Sequence, residues 1–169
     1  MTPDLRIRAE EQEDRAAIHA LHEAAFRGHA EAALVDKLRR DSDLSLSLVA
    51  CRDRVVVGHI AFSPLALADK PDLKAFALAP LAVLPSVQRQ GIGAALVEDG
   101  LQRLADDGAD VILVLGEPGY YGDFGFEAGN AKAFTTPYDG PYLQALILSD
   151  KGQAARGHVD YAPAFAGLT

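Results

Sequence analysis

Hydrophobic and polar residues follow two periods along this chain. Strict alternation over residues 5–8 predicts a first strand, and apolar residues spaced three to four apart predict helices over residues 10–26 and Ala30–Arg40. Acidic residues are concentrated between positions 10 and 14, in the predicted first turn of the first helix, where negative charge offsets the helix dipole. The chain therefore opens as a strand followed by two amphipathic helices.

A hairpin and a further long strand come next. Residues 44–48 alternate, a short charged turn follows, and residues 55–62 return as an apolar run, which predicts an antiparallel hairpin. Residues 64–74 contain two prolines and are predicted to form a loop. Residues 76–83 form the next predicted strand, but Pro80 within it cannot donate to a sheet ladder. The strand is therefore either bulged at this point or at an edge of the sheet.

A strand–helix–strand unit organises the second half of the chain. Apolar residues recur on one face between positions 92 and 104, and Gly108 ends the predicted helix because glycine adopts the left-handed cap conformation. Val111–Leu115 is an unbroken apolar run, typical of a strand covered on both faces. A turn or short helix over residues 118–123 and a last strand over residues 143–148 are predicted after it. The tail is expected to lie over the sheet or near a substrate opening.

The turn before that helix carries the candidate chemistry. Gly91 and Gly93 let the main chain approach a ligand closely, and the amides of a helix's first turn lack internal acceptors. Such a helix start binds anions, phosphates above all. Position 96 is leucine where a dinucleotide-binding loop has its third glycine, and no Gly-Lys-Ser/Thr follows, so both common nucleotide loops are excluded. The remaining pattern is Gln-x-x-Gly-x-Gly at residues 88–93.

Composition narrows the class of protein. A length of 169 residues, with 49% apolar and 24% charged residues, predicts one globular domain over residues 1–169. The net charge of −8 argues against a nucleic-acid binder; it is compatible with cationic partners, or simply with a well-hydrated surface. Cys51, the one cysteine, lies in an apolar run and is interpreted as a buried strand residue. These features, with no signal-like N-terminus and no membrane-length apolar run, make the cytoplasm the expected location and a membrane partner unexpected.

Three motifs in order resemble the GNAT superfamily of N-acetyltransferases. They are Leu81-Ala82-Val83 before the glycine turn, residues 88–94 within it, and Tyr121 with Gly125-Phe126 after the next strand. The phrase Val114-Leu115-Gly116-Glu117-Pro118, together with the tail at residues 161–165, is most similar to the YhbS-like branch of that family. The resemblance extends over roughly residues 5–148.

This resemblance implies an α+β (mixed α/β) fold: a central mixed, mostly antiparallel sheet of about six to seven strands, flanked by about four helices. It implies a bulged, splayed central strand whose gap binds the pantetheine arm of acetyl-CoA, the expected cosubstrate, with no metal. The loop amides would hold the pyrophosphate, Arg89 would add charge, and the Val83 N–H would polarise the thioester carbonyl. The cofactor-binding residues carried over are Leu81, Ala82, Val83, Gln88, Arg89, Gln90, Gly91, Ile92, Gly93 and Ala94.

The resemblance also suggests a general acid. Tyr121 matches the family position and is the candidate that protonates the departing thiolate. Tyr120 is the weaker rival, because its spacing to Gly125-Phe126 is off by one. The alternative for Tyr121 is an aromatic ring that only packs on the cofactor.

The base and the acceptor-binding residues are harder to place. Residues 76–84 contain no acid or histidine, so Glu117, at the strand end beside the tyrosines, is the best carboxylate by position; a helix-start acid is the alternative. His22 and Glu31 lie on helices that border the acceptor site in the resembled family and are candidates for binding the substrate amine. His19 and His22 are three apart on one helix face, but no third ligand is spaced to complete a metal site.

The leading interpretation is an acetyl-CoA-dependent N-acetyltransferase. It would transfer the acetyl group directly to a primary amine of a small molecule, peptide or protein, since no nucleophilic cysteine is evident. Two alternatives stay open: a non-catalytic acyl-CoA-binding domain that acts as a sensor or assists a partner, and a structural module, which the glycine turn disfavours. A homodimer is compatible with the sequence.

Overall fold

The computed structural model describes residues 4–167, which form one mixed sheet with helices on both faces. The strands are β1 (Leu5–Ala9), β2 (Leu46–Arg52), β3 (Val55–Leu67), β4 (Ala75–Val83), β5 (Val111–Leu115), β6 (Phe134–Thr135), β7 (Leu143–Ile147) and β8 (Gly157–Asp160). The helices are α1 (Arg15–Phe26), α2 (Ala30–Arg40), α3 (Ile92–Asp106), α4 (Pro118–Tyr121), α5 (Ala128–Ala131) and α6 (Asp150–Ala154), with short 3₁₀ turns at Gln12–Asp14, Pro85–Val87, Gly122–Phe124 and Pro163–Gly167.

The sheet has the mixed, mostly antiparallel topology that the family resemblance implies. Its strand order is β1-β2-β3-β4-β5-β7, and β8 pairs with both the end of β3 and β6. Within the main order β4 and β5 are parallel, and the other neighbours are antiparallel. The described residues contain eight strands and six α-helices, more than predicted, because β6, β8 and three of the helices are only two to five residues long.

Two apolar layers hold the sheet between its helices. On one face α3 packs Ile92 and Leu96 against Ile60 and Phe62 of β3, and all four side chains are at most 1% exposed. On the other face α2 and the C-terminal tail cover Leu65, Leu67, Leu113 and their neighbours. Burying each such side chain contributes roughly 1.5–3 kcal/mol. The two-sided cover explains the unbroken apolar run of β5.

Three local predictions are wrong. Residues 64–67, predicted as loop, are the end of β3, since Leu65 and Leu67 are buried and pair with β4 and β8. Residues 143–148 do not form the last strand, because β8 follows. The first helix begins at Arg15, after a 3₁₀ turn, so the preceding acids lie outside its first turn. One of them, Asp14, instead accepts hydrogen bonds from Arg8 and from the Glu11 amide, both at 2.7 Å.

The predicted bulge in β4 is confirmed. Ile60 of β3 lies opposite Leu81, and Phe62 lies opposite Leu78, so two residues of β4, Ala79 and Pro80, face a single residue of β3. Pairing between β4 and β5 ends at Leu78 and Val114. Beyond the bulge β4 stays paired with β3 but diverges from β5. The edge-strand alternative for Pro80 is therefore wrong, since β4 is an internal strand.

Close packing between α3 and the sheet depends on Gly100. A Cβ atom there would lie 2.6 Å from Cε2 of Phe62, a fully buried ring. We therefore expect Gly100→Ala to lower the free energy of unfolding by about 1–3 kcal/mol, although alanine is the better helix former. Urea denaturation measures the change. Gly129→Ala in α5 is the control, because no other atom of residues 4–167 lies within 4 Å of that Cβ. Equal stability of the two variants would contradict this packing argument.

Candidate active site

The divergence of β4 from β5 leaves one side of the β4 backbone without a neighbouring strand. The Leu84 N–H donates to the Val57 carbonyl at 2.9 Å, toward β3. Because N–H and C=O groups alternate in direction along a strand, the polar backbone groups of Leu81 and Val83 point the other way, into the gap. The Val83 carbonyl accepts a hydrogen bond from Gln88 Nε2 at 3.0 Å. The N–H groups of Leu81 and Val83 are thus presented to a ligand in the gap.

The glycine turn faces the same gap from the start of α3. Gly91 has a φ of +82° and Arg89 has a φ of +65°, both in the left-handed region, and the first helical hydrogen bond runs from the Ala95 N–H to the Gly91 carbonyl. The amides of residues 92–94 therefore have no acceptor within the helix. Amides grouped in this way attract an anion. The turn has the geometry of a phosphate site.

A cavity of about 270 Å³ joins the β4 edge to the glycine turn. Its lining residues are Leu81, Val83, Gln88, Arg89, Gly91, Ile92, Gly93, Ala94 and Tyr120. Two of the predicted cofactor residues do not line it. Ala82 is buried and lies opposite His59, and the Gln90 side chain accepts a hydrogen bond from Arg52 at 2.7 Å. The structure brings the other eight together.

Tyr120 also lines this cavity. The residue is 39% exposed, and its hydroxyl oxygen would lie 3.0 Å from a Cβ atom built on Gly93. The absence of a side chain at Gly93 therefore makes room for this hydroxyl. Motif spacing ranked Tyr120 behind Tyr121, and no local signal in the sequence shows which of the two adjacent tyrosines faces the cavity.

Tyr121 is packed more deeply than its neighbour. Its ring lies against Gly116, where a Cβ atom would be 2.5 Å from Cε2, and it meets Phe126 edge-on with ring centroids 5.8 Å apart. Burial, with a smaller contribution from Tyr120, raises the pKa of Tyr121 to about 12. The phenol is therefore protonated at neutral pH, and its O–H is available as a hydrogen-bond donor.

Comparison with known proteins identifies the family. The model of the acetyltransferase (GNAT) family matches residues 11–126. The chain belongs to the GNAT acetyltransferase family. It is 42% identical over 122 residues to the uncharacterized N-acetyltransferase YhbS of Escherichia coli (strain K12), with 72% of each chain covered. Over 136 residues it is 35% identical to the uncharacterized N-acetyltransferase YjhQ of the same strain, with 78% of this chain and 75% of YjhQ covered.

Two solved GNAT structures resemble this one closely. The crystal structure of Escherichia coli YhbS in complex with CoA has a TM-score of 0.92 and 34% sequence identity, and the match covers 100% of this chain and 96% of YhbS. A GNAT acetyltransferase from Brucella melitensis in complex with acetyl-CoA has a TM-score of 0.83 and 37% identity, covering 97% of this chain and 99% of that one. These relatives share the fold along nearly the whole chain.

The remaining predicted residues of this GNAT protein lie in different surroundings. Glu117 is exposed, and its backbone carbonyl accepts the amides of Tyr120 and Tyr121 at the start of α4. Glu31 is half-buried in the first turn of α2. His22 is fully buried and hydrogen-bonded to His59 at 2.8 Å. None of the three lines the cavity between β4 and α3.

Neither metal ligands nor membrane-spanning helices are evident in residues 4–167. No group of three or more His, Cys, Asp or Glu side chains in this part of the chain could hold a metal ion. His19 hydrogen-bonds to Asp36 at 2.8 Å, whereas His22 hydrogen-bonds to His59, so the two histidines of α1 have different partners. No helix between these residues combines the length and the apolar character needed to cross a membrane.

Proposed function

We propose that this protein is an acetyl-CoA-dependent N-acetyltransferase that acetylates a primary amine of a small molecule, peptide or protein. The observation that carries the proposal is the gap beside β4, in which the N–H groups of Leu81 and Val83 face the amide-rich start of α3 across one cavity. Acetyl-CoA supplies an acetyl thioester at one end and a pyrophosphate at the other. The CoA and acetyl-CoA complexes of the two similar structures support this ligand.

The residues of the cavity fit such a cosubstrate. The amides of residues 92–94 would hold the pyrophosphate, and the exposed Arg89 side chain at the rim would add a positive charge. The Leu81 and Val83 amides would bind the pantetheine arm, and the Val83 N–H would polarise the thioester carbonyl. The Gln88 side chain, bound to the Val83 carbonyl, keeps that strand end in position.

Tyr121 is proposed as the donor to the departing thiolate because of its position in the motif. It does not line the cavity but packs beside Tyr120, which does, with ring centroids 5.0 Å apart, so its hydroxyl would have to turn toward the gap to act. A pKa of about 12 lies above the model thiol value of about 8.5, so proton transfer from the phenol is uphill in water. The same low-dielectric surroundings that raise the pKa of Tyr121 would also raise the pKa of the CoA thiol, so the difference between the two pKa values becomes smaller. Tyr121 would therefore stabilise the leaving group first as a hydrogen-bond donor and then as an acid.

Direct transfer without an acetyl-enzyme is the proposed route. Cys51 is 7% exposed and packs in a small cluster with Ile18, Val35 and Val49 on the α1 and α2 side of the sheet. A thiol enclosed by apolar side chains on that side is not accessible to a thioester bound beside β4. Both substrates would thus be bound together before the acetyl group moves. The single cysteine is also consistent with the cytoplasm as the working compartment.

An amine screen tests the proposed function. The purified protein is incubated with acetyl-CoA and one member each of four classes: a polyamine, an arylalkylamine, an amino sugar and a lysine-containing peptide. We expect at least one amine to release CoA thiol enzymatically and to be recovered as its acetamide by mass spectrometry. Saturable acetyl-CoA binding with no turnover of any amine would instead favour the non-catalytic sensor, which the lack of an acid or histidine on residues 76–84 leaves as a second candidate.

Two adjacent tyrosines provide a matched pair of variants. We expect Tyr121→Phe to lower kcat by about 100-fold with little change in KM for acetyl-CoA, because it removes the proton donor. Tyr120→Phe removes the same atom from the cavity wall and should raise that KM about fivefold, the effect of one lost hydrogen bond, while kcat stays within about twofold. Steady-state kinetics separates them. The reverse pattern would transfer the acid role to Tyr120.

A further inference from the structure

A buried chain of hydrogen bonds lies on the α1 side of the sheet, outside the cavity described above. His22 Nε2 lies 2.8 Å from His59 Nδ1, His59 Nε2 lies 2.7 Å from Ser47 Oγ, and Ser47 Oγ lies 2.5 Å from Glu10 Oε1. Both histidines are 0% exposed. Arg39 binds the Glu10 carboxylate through Nε at 2.8 Å and Nη2 at 2.9 Å.

The direction of these hydrogen bonds follows from the carboxylate at one end. Ser47 has a single hydroxyl proton and gives it to Glu10, so its oxygen accepts from the Nε2–H of His59. A neutral imidazole has one N–H, which leaves His59 Nδ1 as the acceptor of the Nε2–H of His22. The Nδ1 atom of His22 is then a bare lone pair. It is buried and has no hydrogen-bond partner among residues 4–167.

The surroundings keep both rings neutral. Burial, with a contribution from the charge of His19, lowers the pKa of His22 to about 4, and burial also lowers the pKa of His59 well below its usual value. Burial opposes ionisation of Glu10, but the hydrogen bonds from Arg39 and Ser47 outweigh it and hold the pKa of Glu10 below its usual value. The chain therefore runs from a lone pair at His22 to a negative charge at Glu10.

This chain of hydrogen bonds lies next to β4, the strand that carries the proposed thioester site. His59 is opposite Ala82 in the β3–β4 register, and Ala82 lies between the two residues whose amides face the gap. At the His22 end the ring stacks parallel to Phe26, with ring centroids 5.9 Å apart, and Phe26 is 41% exposed at the end of α1. At the other end Glu10 and Ser47 line a surface cavity of about 480 Å³. Phe26 is thus a partly exposed ring that covers one face of the His22 imidazole.

We propose, on the basis of the proposed acetyl transfer, that His22 Nδ1 is the general base for the acceptor amine and that His59, Ser47 and Glu10 position it and balance its charge. The acceptor enters by displacing the Phe26 ring. As the amide C–N bond forms and the thioester C–S bond breaks, one amine N–H bond breaks and an Nδ1–H bond forms on His22. The thiolate takes the Tyr121 proton. The His22 proton afterwards passes to water, which also reprotonates Tyr121.

Charge balance distinguishes this site from an isolated buried histidine. When His22 Nδ1 gains a proton, the Nε2 proton can shift toward His59, the His59 proton toward Ser47, and the Ser47 proton toward Glu10, so the positive charge is spread toward a carboxylate. No oxidant or further reactant is needed. A buried imidazolium without such a partner would be strongly disfavoured.

The first test is independent of turnover. Ring-nitrogen NMR shifts of the protein at pH 7 should show His22 and His59 as neutral rings, each protonated on Nε2 only. A proton on His22 Nδ1 would overturn the assignment. In Ser47→Ala the Nε2 hydrogen bond of His59 is lost, and its ring-nitrogen shift should move while the exposed His158 shift stays constant.

The second test measures kcat with the best acceptor from the amine screen. His22→Gln keeps a donor near the former Nε2 but removes the lone pair, and should lower kcat about 100-fold with KM for acetyl-CoA within twofold. Ser47→Ala should lower kcat about tenfold, and His158→Gln should change nothing. A parent without turnover refutes the proposed function itself. If the parent turns over and His22→Gln or Ser47→Ala is equally active, only the role of this hydrogen-bond chain is refuted.

Discussion

Replacing Gly93 by valine is expected to weaken acetyl-CoA binding by at least about 100-fold, or roughly 2.7 kcal/mol. A Cβ atom at Gly93 would lie 3.0 Å from the Tyr120 hydroxyl and 3.7 Å from Val83 Cγ2. The branched side chain would therefore fill the cavity between β4 and α3 at the point where the ligand must pass. Isothermal titration calorimetry of parent and variant measures the difference.

A second variant separates charge from shape in the same site. Gly91→Gln carries the strain that the φ of +82° imposes on any side chain but adds no charge, so it is the matched control for Gly91→Glu. No atom of residues 4–167 lies within 4 Å of a Cβ atom at this position, and Gly91→Glu places a carboxylate beside the proposed pyrophosphate site. It should also weaken binding, and raised salt should reduce that loss while leaving the Gly93→Val loss unchanged. Gly129→Val in α5 is the control for added bulk, since a Cβ atom there has no neighbour within 4 Å in the part of the chain that the structure describes. Full affinity in Gly93→Val would place the cosubstrate elsewhere.

Acidification from pH 7 to pH 5 is expected to lower the free energy of unfolding by at least about 2 kcal/mol. His22 has a pKa of about 4 in the folded protein and about 6.5 in the unfolded chain, so the unfolded state binds more protons between these values. The stability that neutral His22 contributes is therefore present above pH 6.5 and is lost as the pH falls toward 4. His59 has its pKa lowered in the same direction and adds to the loss.

Between pH 7 and pH 5 the change in the free energy of unfolding reports on His22 and His59 rather than on the carboxylates. Glu10 and Asp14 have pKa values below their ordinary ones, so the stability they contribute is lost only at lower pH, below about 4. The charges that act on the pair are His19, Asp36, Arg39 and Asp14. Guanidinium unfolding curves at pH 7, 6 and 5 give the dependence, with His158→Gln as the control at an exposed position. A parent equally stable at pH 7 and 5 would show that the histidines are not buried as neutral rings.

The hydrophobic pattern of a single segment was sufficient to predict an element when that pattern lies within the segment itself. The periodicity of α2 and α3 and the apolar run of β5 predicted these elements correctly, because each buries a face whose spacing is visible in the chain. Pro80 predicted the bulge in β4 for a similar reason, since a residue without an N–H interrupts a ladder wherever it stands. Eight of ten predicted cofactor residues line one cavity, but their binding role stays a prediction until the calorimetry is done.

Long-range pairing decided what the pattern missed. Residues 64–67 carry a proline and little alternation, yet they are strand because β4 and β8 lie beside them. Tyr120 and Tyr121 are adjacent in sequence, and only the packing of α4 turns one toward the cavity and the other against Gly116 and Phe126. The sequence around a residue does not show which distant residues will pack against it.

The sequence by itself determined the family resemblance, the glycine turn and the bulged strand, because these depend on backbone freedom and on missing atoms at single positions. Only the tertiary structure decided that His22, 37 residues from His59 along the chain, shares a buried hydrogen bond with it. That pairing, and the chain leading to Glu10, depends on α1 folding across β3 and β4. Burial there removes water as a partner, which turns two unremarkable histidines into a polarised chain ending in an unused lone pair.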